Sequence, residues 1–363
     1  MKNTFGSSVS VTLFGESHGP KIGAVLDGLA PGIPVDRELI ARQLELRRPA
    51  GAISTARREQ DDFEIVSGVF EGRTTGTPLT ILIPNADTRS GDYTRGALRP
   101  GHADYTAHVK YHGYEDYRGG GHFSGRITAA LAAAGAVAIG ALRGKGIRIG
   151  THILRCAGIQ DAPLADPKQI GILNEKAFAV LDEKKGEEMR EAILQAAHCG
   201  DSVGGVLETM IDGLPAGVGE PWFDTLEGML AHALFAVPAV KGVEFGDGFA
   251  LADRRGSEAN DAFALEGGRT VTLTNHNGGI NGGISNGMPV CFRCAVKPTP
   301  SIALPQRSVD AEGTREETLA LTGRHDPAIV HRARVVVDSM AALVLCDALA
   351  LRFGTDWLRE DLA

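Results

Sequence analysis

The chain has 363 residues, 43% hydrophobic and 23% charged, and carries a net charge of −8. That length allows one large domain or two ordinary ones, and the acidic balance disfavours a broad nucleic-acid surface. Five sparse cysteines fit a reducing compartment, and the opening "MKNTFGSSVSVTLFG" lacks the apolar stretch of a secretion signal, which predicts a cytoplasmic protein.

The first β-like run ends at "FGESHG" (14–19), which presents Glu16, Ser17 and His18 beside glycines. Ser17 next to His18 invites a nucleophile–base reading. Neighbours in a strand point to opposite faces, however, and cannot readily share a hydrogen bond; a structural histidine in a turn is the plain alternative. "VLDGLAPGIPVDRELIARQL" (25–44) then reads as a strand, a Gly/Pro turn and a helix opened by Asp36. Arginine is concentrated locally, as Arg47 with Arg48, Arg57 with Arg58, and Arg95 with Arg99. An acidic chain with arginine pockets suits a small, highly anionic ligand better than a polymer.

The stretch "RPGHADYTAHVKYHGYEDYRGGGHFSGR" (99–126) concentrates histidine, arginine and glycine, and its tyrosines at 105, 111, 114 and 117 follow neither strand nor helix spacing. Glycine lets a ligand approach the backbone closely, while Arg and His supply charge and protons. The pattern predicts an anion site built on loops. "ITAALAAAGAVAIGAL" (127–142) follows, flanked by Arg126 and Arg143. It is shorter than the roughly 20 apolar residues of a membrane span and reads as a buried helix.

The chain then repeats itself. "MIDGLPAGVGEPWFDTLEGMLAHAL" (210–234) echoes 25–44, with Asp224 as helix opener. "GVFEGRTTGTPL" (68–79) and "GINGGISNGMPV" (279–290) share three glycines, a proline and a final aliphatic at an offset of 211. At that offset the apolar helix falls on "SMAALVLCDALALRF" (339–353), as expected of two helices packed side by side. A single α/β domain over 1–363 is expected, with related halves 1–150 and 199–363 and a charged helical insertion at about 151–198. Helices sandwiched between sheets, around one shared core, are the predicted architecture.

"CFRC" (291–294) sits in a strand-like run, where alternation sets the two sulfurs on opposite faces; no metal site is predicted. Neither GxxxxGK[ST] nor a GxGxxG between strand and helix occurs, which disfavours doubly wound dinucleotide binding. A last ionisable cluster, "GRHDP" (323–327), presents Asp326 before a proline.

At these residues the chain resembles the chorismate synthase family. "GESHG", "RPGHADYT", "RGGGHFSGR" and "GRHDP" occur in that family's order and spacing, as do "RRP" (47–49), "VKGVEFGDGF" (240–249) and "KPTPSI" (297–302). The resemblance spans nearly the whole chain. It implies a lyase that converts 5-enolpyruvylshikimate 3-phosphate to chorismate and phosphate by 1,4-elimination, the last common step of the shikimate pathway to aromatic amino acids. It further implies reduced FMN, needed but not consumed, with NADPH as a candidate reductant or a separate flavin reductase in its place. The implied fold is an α/β sandwich with central helices between antiparallel sheets, assembled as a cytoplasmic homotetramer, with no metal, nucleic-acid or membrane partner.

Residue roles follow from the same resemblance. Arg47, Arg48 and Arg126 are the implied substrate-binding positions, and a substrate bearing a phosphate and two carboxylates suits forked guanidinium groups. His18 is implied to protonate the departing phosphate, His102 to govern protonation of the flavin, and Asp326 to relay a proton at flavin N5. Histidines suit such work because they titrate near neutrality. Flavin contacts map onto His122, Phe123, Ser124, Ala239, Gly282, Lys297, Pro298, Thr299, Pro300, Ser301 and Arg324. Many members have Arg-Ser-Ser where this chain has His122-Phe123-Ser124, and Asn-Ala where it has Pro238-Ala239; Pro238 cannot donate a backbone hydrogen bond. The loop after "RRP" is about one residue short and lacks a family arginine, with Arg57 and Arg58 as the candidate replacements. Two rivals are a flavin- or phosphate-binding protein on the same scaffold and a phosphate-ester hydrolase. His18, His102 and Asp326 together argue against pure binding, which needs no proton-handling set.

Overall fold

Short β1 (Thr4–Phe5) leads into β2 (Ser10–Phe14), β3 (Lys21–Asp27), α1 (Arg37–Arg47) and β4 (Glu64–Ser67). A small hairpin of β5 (Val69–Phe70) and β6 (Arg73–Thr74) precedes β7 (Leu79–Pro84), α2 (Asp104–Tyr111) and the long α3 (Thr128–Gly144). Next come β8 (Arg148–Cys156), β9 (Ile159–Gln160), α4 (Lys168–Glu175), α5 (Glu183–His198), β10 (Gly205–Asp212), α6 (Leu226–Leu234) and β11 (Val240–Phe245). A short α7 (Gly256–Ala259) is followed by hairpins β12 (Phe263–Glu266) with β13 (Arg269–Thr272), and β14 (Ile280–Asn281) with β15 (Ile284–Ser285). Strand β16 (Val290–Val296), hairpin β17 (Gln306–Val309) with β18 (Glu316–Leu319), and α8 (Val330–Phe353) follow. This computed structural model describes residues 2–49, 51–55, 59–88, 91, 93–321 and 326–359.

Two five-stranded antiparallel sheets result, in the orders β1-β2-β3-β7-β4 and β11-β16-β10-β8-β9. The sequence β2-β3-β7-β4 in one sheet has its counterpart in β8-β10-β16-β11 of the other. The echo extends to register: β5–β6 pairs Val69 with Thr74, and β14–β15 pairs Ile280 with Ser285, each 211 residues on. Alternation decides which face is buried. Leu79, Ile81 and Ile83 of β7, and Val290, Phe292 and Cys294 of β16, all point inward.

Helices α3 and α8 fill the space between the sheets, with most of their residues buried. By composition α3 is apolar enough to cross a membrane, but most of it is enclosed in this core. Small residues bring the two helices together: a Cβ on Gly135 would stand 2.2 Å from the Cβ of Ser339. Asp347 of α8, also buried, accepts the backbone N–H groups of Ser7, Ser8 and Val9, so its carboxylate is satisfied and the N-terminal segment is tied to the core.

Two expectations need correction. The segment 151–198 does not begin as a helix, because "RIGTHILRC" is buried on both faces and forms β8, which pairs with β10 inside the second sheet. The helical part is confined to α4 and α5, inserted between β8 and β10. His152 anchors it to the sheet, with Nδ1 3.3 Å from Asp161 and Nε2 3.0 Å from Glu208. Burial disfavours its charge, but the two carboxylates outweigh this and raise its pKa. The second correction concerns Asp224, which ends a 3-10 turn, while Thr225 caps α6 through its hydroxyl at 3.0 Å from the N–H of Gly228. Asp36 caps α1, accepting from the N–H groups of Glu38 and Leu39.

Candidate active site

A cavity of about 950 Å³ opens where the loops after β2, α1 and β7 meet the segment before α3 and the segment between β18 and α8. Its lining includes His18, His102, Asp326, Arg47, Arg126, Phe123 and Ser124, so the structure brings together most of the residues singled out by chemistry.

The glycines explain how. Gly119, Gly120 and Gly121 have φ of +60°, +79° and +52°, a run that residues with a Cβ rarely adopt. It folds back onto "GESHG": Ser17 N–H donates to Gly121 O at 3.0 Å, and His122 Nδ1 lies 2.8 Å from Gly15 O. A Cβ on Gly119 would stand 2.6 Å from Nε2 of His18, and one on Gly120 would stand 3.3 Å from Nε2 of His102. The two histidines therefore lean over consecutive glycines. Strand alternation does not separate Ser17 from His18, since β2 ends at Phe14 and both residues lie in a turn; a Cβ on Gly119 would also meet Ser17 Oγ at 2.9 Å.

His102 is held from behind. Its Nδ1 lies 2.7 Å from Asp104 Oδ1, and Arg99 grips the same carboxylate with Nε on Oδ2 and Nη2 on Oδ1, each at 2.7 Å. Burial raises the Asp104 pKa, but the bonds from Arg99 and His102 outweigh it and hold the carboxyl well below its usual range. Arg99 also donates to Ser301 Oγ at 3.4 Å, which links "KPTPS" to this cluster.

On another wall, Arg47 and Arg126 share one buried carboxylate, Asp61. Arg47 Nη2 reaches it at 2.9 Å, and Arg126 Nη1 is hydrogen-bonded to its other oxygen. Asp61 has φ +56°, a conformation Asp tolerates better than most residues. Burial raises its pKa, yet Arg47 and Arg126 prevail and lower it. Arg126 spends its other donors on Asn85 Oδ1 and Pro84 O, so this guanidinium braces the cavity floor. Among the described residues the buried Nε of Arg47 has no partner, and burial pulls the Arg47 pKa down to about 10. Asp61 and Glu59 escaped the sequence reading; the acidic run "EQDDFE" (59–64) beside an arginine-rich loop was the available signal.

Asp326 is paired with Arg332 and accepts the N–H of Thr55 at 3.0 Å, joining the base of α8 to the loop after α1. Arg332 is a cavity residue the sequence reading missed.

Other positions stand apart. Arg48 faces a smaller recess with Asp62 and Phe63, and Gly282 turns the β14–β15 hairpin with nothing within 4 Å of a would-be Cβ. Ala239, at φ +73°, accepts the N–H of Lys297, whose Nζ donates to Gly101 O at 2.5 Å. Pro300 touches Gly101, while Pro298 packs against Gly204; the buried Thr299 hydroxyl has no partner among the described residues. Arg57, Arg58 and Arg324 lie outside the described residues. Cys291 and Cys294 fall on opposite faces of β16, and burial pushes both thiols up to about 12.

A sandwich of two antiparallel sheets encloses buried helices, and a loop-built cavity lined by histidines and buried arginines is the architecture of an enzyme for a small molecule. The sequence profile of the family described as chorismate synthase matches residues 9–350. A chorismate synthase of Thermococcus gammatolerans is 49% identical over 349 residues, covering 96% of this chain and 97% of that one. One from Aeropyrum pernix is 45% identical over 367 residues, covering 99% and 96%. A crystal structure of chorismate synthase superposes with a TM-score of 0.76 at 29% identity, covering 96% of this chain and 94% of that one. The chain belongs to the chorismate synthase family. Its activity is that of a lyase, the conversion of 5-enolpyruvylshikimate 3-phosphate to chorismate, and the family works with a reduced flavin.

Proposed function

We propose that this reaction takes place in the cavity between His18 and His102, with Arg47 drawing in the anionic substrate and Asp326 completing the proton-handling set. One observation carries the reading: two histidines lean over the consecutive Gly119 and Gly120 at the edge of a cavity that also holds Arg47 and Asp326.

His18, beside the glycine turn, is placed to give a proton to the phosphate as the allylic C–O bond breaks. Arg47 offers its partnerless Nε to an anion while Asp61 fixes the rest of the guanidinium. Asp326, clamped by Arg332 and the Thr55 N–H, is a carboxylate of fixed orientation at the cavity wall.

FMN is the flavin we infer. When bound, it supplies electron density to the substrate as phosphate departs. The residues fit such a group: the orphaned Thr299 hydroxyl lies in a segment already tied to Arg99 and Gly101, and Phe123 and Ser124 face the cavity. Phe123, Ser124 and the segment Lys297 to Ser301 are the positions we assign to it, and Arg47 the one we assign to substrate. NADPH is the reductant we infer, directly or through a separate reductase. A cytoplasmic homotetramer is the assembly we infer, and the exposed Trp222, Phe223, Phe249 and Phe263 supply apolar surface for it to cover.

An anaerobic incubation of the purified chain with substrate tests the reading. Chorismate and phosphate should form together with reduced FMN, and neither should form without flavin; phosphate release alone would point to an ester hydrolase.

A further inference from the structure

We propose that Asp104 is the positioning residue of His102: it keeps the proton of the neutral imidazole on Nδ1 and leaves Nε2, the nitrogen over Gly120, bare to accept one. The inference rests on His102 handling protons at this site.

The geometry admits one assignment. Asp104 Oδ1 and His102 Nδ1 are 2.7 Å apart, so one of them donates. The carboxylate has no proton to give, because Arg99 donates to it through its backbone N–H at 3.0 Å, its Nε and its Nη2, and holds it ionised. Nδ1 is therefore the donor. Arg99 Nη2 also lies 3.1 Å from Nδ1, but a bond from it to a bare Nδ1 would leave two acceptors, Nδ1 and Oδ1, 2.7 Å apart with no proton between them, so that approach follows from sharing Oδ1. The opposite edge of the ring is open: a Cβ on Gly120 would stand 3.1 Å from Cε1 and 3.3 Å from Nε2 of His102, and glycine leaves that space empty. A buried carboxylate behind an imidazole fixes its tautomer and steadies the imidazolium that forms on protonation, the role such a carboxylate plays behind the histidine of hydrolase triads. Asp104 is the first residue of α2, where a negative charge is further favoured by the helix dipole. Helix, arginine and carboxylate together make a rigid backing for one ring.

The test is nitrogen NMR of the full chain with 15N-labelled histidine, the His102 signals being assigned by their loss in His102→Gln. In the parent at alkaline pH, Nδ1 should show the shift of a protonated nitrogen and Nε2 that of a bare one. In Asp104→Asn an amide N–H can face Nδ1, and the proton should move to Nε2. Asp104→Ala serves as the second variant, with the Nδ1 preference expected to vanish, and unchanged signals from the other histidines report a folded chain. Nε2-protonated His102 in the parent, or an Nδ1 preference that survives in both variants, would overturn the proposal. Kinetics give the second arm. Asp104→Asn should lower kcat by about 100-fold, the lower end of the range for a positioned acid or base, with substrate KM altered much less. In a His102→Ala background the same change should cost nothing further, because its effect passes through the ring. An added loss there would assign Asp104 another role. If His102→Ala itself turned over normally, the catalytic reading would fail, and the tautomer measurement would still decide the contact.

Discussion

Gly119 lies directly beneath the ring of His18, so close that a Cβ at this glycine would stand 2.5 Å from Cδ2 and 2.6 Å from Nε2. No rotation of a methyl relieves such an overlap; the imidazole itself must move. Its φ of +60° adds a left-handed penalty of about 1–2 kcal/mol for any residue bearing a Cβ. Gly119→Ala should therefore lower the unfolding free energy by that amount and displace His18. A displacement of about 1 Å at a reacting group can cost roughly 100-fold in rate. Turnover and urea unfolding measured on the same variant check both parts, and parental turnover would show that His18 works from some other position.

The shared carboxylate Asp61 separates two views of the arginines. Arg47→Lys keeps a charge but loses the fork. If the Arg47 Nε binds a substrate oxygen, affinity should fall by about 1.5–3 kcal/mol, the range for a hydrogen bond to a charged group. Titration of substrate into variant and parent with FMN present decides it; unchanged affinity would leave Arg47 as a structural partner of Asp61.

Asp61→Asn should be costlier to the fold, by about 3–5 kcal/mol, because two buried guanidinium groups lose their counter-charge. The pH dependence has a definite sign. Arg47 and Arg126 lower the Asp61 pKa despite burial, so its stabilisation is fully present above about pH 4, its usual range, and is lost as pH falls further. Urea midpoints of parent and variant should converge in acid, and a constant gap down to pH 2 would contradict this.

His331 sets a second acid limit, at higher pH. It lies in α8 with Nε2 2.8 Å from Ser54 Oγ, and burial followed by the charge of Arg332 holds its pKa down at about 4. A histidine kept neutral in the fold favours unfolding once the unfolded chain binds a proton. Its stabilisation is complete above about pH 6.5 and declines towards pH 4, by roughly 3 kcal/mol at about 1.4 kcal/mol per unit. His331→Gln should remove that slope between pH 6.5 and 4. A variant with the parent's slope would show that the histidine does not titrate in this way.

Much of this was legible in the sequence, for physical reasons that differ from place to place. The 211-residue echo was visible because strand ends and glycine turns are local chemistry, and the same glycine spacing builds β5–β6 and β14–β15. Likewise α3 and α8 announced themselves by small apolar residues over a helical length. Strand β8 was hidden because burial on both faces removes the alternation that marks a strand. In the site, His18 and His102 stood out beside glycines, but the carboxylates that order the site did not. Asp104 is two residues from His102 and reads as an ordinary helix start, while Asp61 meets Arg126 only through tertiary folding. Arg332 lies before the apolar stretch 339–353 that marked this helix, and only the return of α8 to the cavity gives it Asp326.

The central claim is that the two histidines over Gly119 and Gly120 carry the proton chemistry of the family's reaction. Single-turnover phosphate release, measured anaerobically with reduced FMN and substrate bound, tests it most directly. His18→Ala and His102→Ala should each slow release by roughly 100-fold or more, with both ligands still bound and the flavin still reduced at the end. Variants that bind both ligands and release phosphate at the parental rate would contradict the account.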